Sequence, residues 1–247
     1  MLADFVAKIQ EDPRILAVFL FGSVAEQRAD TFSDVDLWMV VEERSRNDIL
    51  GARIALLRSL APSSLVLTDG FLQTGDTRTA QIRMLYPGNL GPQQVDWLLH
   101  TSAEVSLPAN GKPLHNPNNL AASAQRIVTF GQPPSTASVN LFWAEALTAV
   151  KYLGRGDSAS AATSIERLQS HLDAERVTQR SPASTETQPG LSVAAGIRHV
   201  RSLSKQMHQI RGMPVEMEQE EALQDSALFF AWIDMVEQTS SPKGSGC

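Results

Sequence analysis

The sequence predicts an α+β fold, a mixed β-sheet with helices followed by an all-α C-terminal domain. Three observations carry this reading. Continuous apolar runs alternate with amphipathic segments through the first hundred residues. From about Asn119 the apolar spacing changes to three and four residues, the period of a helix. The second half also holds a polar Ser/Thr/Pro stretch between two helical patterns, and no internal repeat. The boundary is therefore expected between domains 1–118 and 119–247.

Each element has its own signal. Leu2, Phe5, Val6 and Ile9 are spaced as one face of a helix, which "EDPR" then breaks. "ILAVFLFG" (15–22) reads as a buried strand ending in glycine, and the polar residues after Gly22-Ser23 leave room for a helical turn up to Thr31. "DVDLWMVV" (34–41) is a second strand. An amphipathic helix over 47–62 stops at Pro62. Strands are expected over 63–71 and 79–87 and within 91–100, with 101–118 as loop. In the second half, Val139, Phe142, Trp143, Leu147 and Val150 form the stripe of a core-facing helix with Gly154 near its end. Helices are expected over 158–179, 191–211 and 220–238, with 178–190 as linker.

Composition limits the function classes. The chain of 247 residues has 43% hydrophobic content, enough for a substantial core, and a net charge of -6. No basic block is present, which argues against a long nucleic-acid partner and places a polynucleotide polymerase last. No apolar run reaches the roughly 20 residues of a membrane span, and the first residues lack a signal-peptide pattern, so a cytoplasmic location is expected. The single cysteine, Cys247, excludes an internal disulfide and a zinc-thiolate cluster. The five histidines show no metal-ligand spacing; His100 and His115 are expected in or near loops.

The chemistry concentrates in "FGSVAEQRADTFSDVDL". Residues two apart on a strand share a face, so Asp34 and Asp36 converge while Val35 and Leu37 turn to the core. Two carboxylates that close repel unless a cation lies between them, and magnesium suits such an oxygen-rich site. Gly22 allows close backbone approach, and the backbone amides of the turn with the Ser23 hydroxyl can cradle a phosphate. Asp96, in "QQVDWLL", is a third strand-borne acid, with Val95 and Trp97 facing the core. Three such acids describe a two-metal phosphoryl-transfer site. Trp38 shares the parity of Asp34 and Asp36 and so could wall the pocket, but core packing is the first expectation for it, as for Trp97, Trp143 and Trp232. Arg28 and Arg83 are available cations, although an arginine near a strand end reads first as a surface residue.

Gly-Ser, ten residues (24–33), then Asp-Val-Asp, with a later strand-borne Val-Asp-Trp, resembles the DNA polymerase beta-like nucleotidyltransferase superfamily over about residues 15–100. The helical second half, opening with "FWAEALTAVKYLGRGD", is similar to the small bacterial antibiotic nucleotidyltransferases, which act on aminoglycosides or lincosamides. The resemblance implies transfer of a nucleoside monophosphate from a nucleoside triphosphate, with ATP first choice, to a hydroxyl of a small molecule. It implies that Gly22 and Ser23 hold the triphosphate, and that Asp34, Asp36 and Asp96 hold two Mg2+ ions. Asp96 would also help to deprotonate the acceptor. Glu145 is the candidate separate base, and Lys151 the candidate phosphate contact. A homodimer is compatible with it, since some antibiotic nucleotidyltransferases build their site across one. Acceptor specificity is expected on loops 70–80, 101–118 and 178–190. Two alternatives are an antitoxin-type nucleotidyltransferase that modifies a partner protein and a non-catalytic nucleotide-binding module. The fused helical half counts against the first, and the intact acid set against the second.

Overall fold

The computed structural model of the chain describes residues 2–74, 77–89, 91–101, 110–120, 139–178, 192–211 and 219–240. The chain divides into two compact units, residues 1–135 and 136–247. The sequence boundary at 118/119 and the unit boundary bracket a stretch mostly outside the described residues, as is most of the 178–190 linker.

The first unit is a six-stranded mixed sheet with short helices. Its elements are α1 (Leu2–Ile9), β1 (Ile15–Phe21), α2 (Gly22–Ala25), β2 (Val35–Val41), a 3-10 turn (Glu43–Ser45), α3 (Arg46–Leu60), β3 (Leu65–Thr74), β4 (Thr77–Tyr86), β5 (Gln93–Thr101) and β6 (Lys112–His115). The strand order is β3-β4-β5-β2-β1-β6. All neighbours run antiparallel except β2 and β5, which are parallel. A parallel pair cannot be joined by a tight turn, and here α3 and the β3–β4 hairpin make the crossover.

The apolar pattern explains which face is covered. Val35, Leu37, Met39 and Val41 alternate into the main core with Val95, Trp97 and Leu99, packed beside Phe5 and Ile9 of α1 and Ile49, Leu57 and Leu60 of α3. Trp97 Nε1 donates to the Tyr86 hydroxyl at 3.1 Å, which in turn donates to the Leu57 carbonyl at 3.2 Å, so β4, β5 and α3 are tied inside that core. Burial holds the Tyr86 phenol well above its ordinary pKa. On the other face Ala17, Phe19, Trp38, Val40 and Leu98 form a smaller cluster. Trp38 is packed there, as its expected core role requires.

Two strands differ from expectation. Residues 70–80 belong largely to the β3–β4 hairpin rather than to a loop, and Lys112–His115 is an edge strand on β1. The β6 run is short, polar and contains Pro113, which a sheet tolerates only at its edge, so no alternation betrays it. His100 is also not a loop residue. It sits in β5 at 4% exposure, its Nδ1 paired with Thr79 Oγ1 at 3.2 Å and its ring 4.7 Å from that of Trp38.

The second unit is helical, with α4 (Val139–Gly154), α5 (Ser158–Thr178), α6 (Val193–Arg211) and α7 (Gln219–Ser240). Phe142, Trp143, Leu147 and Val150 of α4 are buried, as the stripe requires, while Val139 falls outside the described side chains. They pack in a core with Leu168, Leu172, Ile197, Val200, Phe229 and Trp232. The Trp143 ring meets Phe229 edge-on at 4.9 Å, and Arg201 bridges α6 to Asp234 and Glu237 of α7 at 2.5 and 2.7 Å. No helix among the described residues is long and apolar enough to cross a membrane.

Burial pushes the His100 imidazole down from 6.5 to about 4. It is neutral when folded, and the unfolded chain takes up its proton first. Its contribution is complete above pH 6.5 and is lost as the pH falls towards 4, to a total of about 3 kcal/mol. Urea unfolding between pH 4 and 7 is expected to show this limb in the wild-type protein and a shallower one in His100→Phe.

Candidate active site

Strand register builds the site. Phe21 of β1 lies opposite Asp36 of β2, Asp36 opposite Asp96 of β5, and Asp96 opposite Arg83 of β4. The next positions inward on the same face are Phe19, Trp38, Leu98 and Gln81. The acids therefore sit at the head of two parallel strands, with an aromatic layer beneath them. The Trp38 ring meets that of Phe21 at 5.1 Å, which fixes the floor of the acid row. Asp34 precedes β2 and completes the group. One ligand atom from each of Asp34, Asp36 and Asp96 lies within 4.8 Å of the others.

Local sequence explains how the acids are held. Asp30 and Ser33 close the loop before β2: the Ser33 hydroxyl donates to Asp30 Oδ1 at 2.8 Å, and the Asp30 amide donates back to Ser33 Oγ at 3.0 Å. Gln93 Nε2 donates to the Ser33 carbonyl at 2.9 Å. Gln94 Nε2 donates to Asp34 Oδ2 at 3.2 Å and to Asp96 Oδ1 at 2.9 Å, so one buried amide joins two of the acids. Arg28 pairs with Glu26, which Asn110 also reaches, at the surface as expected.

Arg83 corrects its sequence reading as a solvated surface residue. Its Nε donates to both Asp96 oxygens at 3.0 Å and its Nη2 to Oδ2 at 2.8 Å. The side chains of Arg83 and Asp96 are only 26% and 9% exposed. The Asp96 charge raises the guanidinium pKa against an opposing effect of burial, with smaller help from Asp34 and Asp36. Gln94 is a site residue that the sequence does not single out, and Arg83 is one that it offers only as an available cation. Their signal is the register across β4 and β5, which no local motif carries.

Gly22 and Ser23 open α2 directly after β1. Gly22 has φ +68°, a left-handed conformation that favours glycine. A Cβ built there would stand 2.2 Å from Asp36 Oδ2. The glycine of the motif is thus coupled sterically to the acid, since it lets the turn press against that carboxylate.

Residues 5–66 match the family model described as Polymerase beta, Nucleotidyltransferase. The matched segment is similar to the nucleotidyltransferase domain of the DNA polymerase beta-like superfamily. The match includes Gly22, Ser23, Asp34 and Asp36, and the same sheet continues beyond it to Asp96. Comparison with curated proteins finds no match.

The donor set fits a divalent cation. It consists of carboxylate oxygens alone, the preference of hard ions, and their mutual repulsion is relieved by positive charge. Glu145 and Lys151 lie on α4 of the second unit, apart in sequence from the acid row. The Glu145 side chain is 19% exposed, and its Oε1 is 3.5 Å from Arg167 Nη1 with no hydrogen bond.

Gly22→Ala forces the Asp36 carboxylate to move and adds left-handed strain of about 1–2 kcal/mol. A thermal melt is expected to show that loss, and nucleotidyl transfer to fall about a hundredfold, as displacement of a reacting group by an ångström does. Gly51→Ala is the control. It lies within α3 with open space around its Cβ position, so it is expected to keep full activity.

Proposed function

We propose that this nucleotidyltransferase is magnesium-dependent and transfers a nucleoside monophosphate, from ATP by first choice, to a hydroxyl of a small molecule. An aminoglycoside or lincosamide antibiotic is the acceptor class we favour. The observation that carries the reading is the parallel β2–β5 register, which sets Asp36 beside Asp96 with Asp34 at the strand head. The nucleotidyltransferase family match over the Gly-Ser and Asp-Val-Asp motifs supports the reaction class.

Bound by the three acids, two Mg2+ ions would supply Lewis-acid neutralisation of the triphosphate and activation of the attacking hydroxyl. The chain's own residues do the rest. Gly22 brings the backbone of the β1–α2 turn against Asp36, and Ser23 offers a hydroxyl and an amide to phosphate oxygens. The acceptor oxygen attacks the α-phosphorus, the bond to the β-phosphate oxygen breaks, and pyrophosphate leaves with that electron pair. The acceptor proton passes to a carboxylate. Asp96 already accepts from Arg83 and Gln94 on both oxygens, so a separate acid is proposed as the proton acceptor. Glu145 in that role and Lys151 as a phosphate contact rest on the family resemblance alone.

Pyrophosphate release from ATP and Mg2+ over a panel of aminoglycosides and lincosamides tests the proposal. Release is expected with one acceptor class, and Asp36→Asn should lower it by about a thousandfold through loss of charge stabilisation worth several kcal/mol. Absence of turnover with every antibiotic would overturn the acceptor assignment.

A further inference from the structure

The geometry points to Arg83 as a resident counter-cation of the acid row, which competes with divalent cations for Asp96 and so sets the metal affinity of the nucleotide-free protein. The inference rests on the metal-site reading above and deepens it. A carboxylate has about four lone-pair positions, two on each oxygen. At Asp96, Oδ1 accepts from Arg83 Nε at 3.0 Å and from Gln94 Nε2 at 2.9 Å. Oδ2 accepts from Arg83 Nε at 3.0 Å and from Nη2 at 2.8 Å. Three N–H groups thus engage both oxygens of the third acid, the single Arg83 Nε–H being shared between them. A cation that uses Asp96 competes with these donors, and the guanidinium supplies two of the three N–H groups.

The electrostatics agree. The Asp96 carboxylate is nearly buried, and a buried charge needs a partner in every state of the protein. Arg83 is that partner while the site holds no other cation. The guanidinium fork also fits phosphate oxygens, so an arginine displaced from Asp96 remains matched to a triphosphate. Arg83 acts here through Asp96 and is a positioning residue.

Mn2+ binding without nucleotide, followed by the electron paramagnetic resonance of the free ion, tests the inference. Arg83→Gln removes the competing charge and is expected to bind Mn2+ at least about tenfold tighter than wild type, the scale on which a neighbouring opposite charge shifts a carboxylate equilibrium. A purely structural arginine gives unchanged or weaker binding on removal, and either result overturns the inference. Arg83→Lys keeps the charge without the fork and is expected to fall between the two. It carries the test if Arg83→Gln does not fold, and affinity no tighter than wild type then overturns the inference. Asp36→Asn separates the two readings. If it leaves wild-type Mn2+ binding intact, the metal-site reading fails together with this one. If it abolishes that binding while Arg83→Gln changes nothing, only the role of Arg83 fails.

Discussion

The parallel pairing of β2 with β5 is the constraint on which the site depends. It places Asp36 directly beside Asp96, and the turn from β1 sets Gly22 against the same carboxylate. At 4.8 Å two unit charges repel by about 3 kcal/mol at an effective dielectric near 20, so three acids in this row are costly to gather. The surrounding structure offsets that cost with Arg83 across the β4–β5 pair and with the Gln94 amide between Asp34 and Asp96. Rigidity comes from the opposite face, where Val35, Leu37, Val95 and Trp97 are locked in the main core.

This arrangement assigns a separate task to each face of the sheet. The helix-covered face holds the strands in place. The other face carries acids at one end and, farther in, Trp38 and His100, whose ring contact is buried. A neutral imidazole suits that layer, because burial disfavours the charged form. Site geometry and fold stability are thus joined through single strands, with alternate residues of β2 and β5 serving each.

Much of the site was legible because it is local. Gly22-Ser23 and Asp34-Val35-Asp36 lie within one short stretch, and the two-residue period of a strand assigns their faces without knowledge of the fold. Asp96 was reachable by the same parity, from Val95 and Trp97 on either side. Arg83 and Gln94 were not, because their roles depend on which strands pair and in what register, a non-local property. The β6 strand carries no local signal, because Pro113 and its charged neighbour mask any alternation. The helices of the second unit were legible from apolar spacing, while the roles of Glu145 and Lys151 came from family resemblance rather than from their own chemistry.

The central claim is that Asp34, Asp36 and Asp96 act as one cation-holding unit. A ligand that binds only the folded state raises its stability in proportion to occupancy. Thermal unfolding in MgCl2, against NaCl at matched ionic strength, is therefore the most direct measurement. The account predicts a Mg2+-specific rise in Tm that disappears in Asp36→Asn. The same rise in that variant, or no difference between the two salts in the wild-type protein, would contradict it.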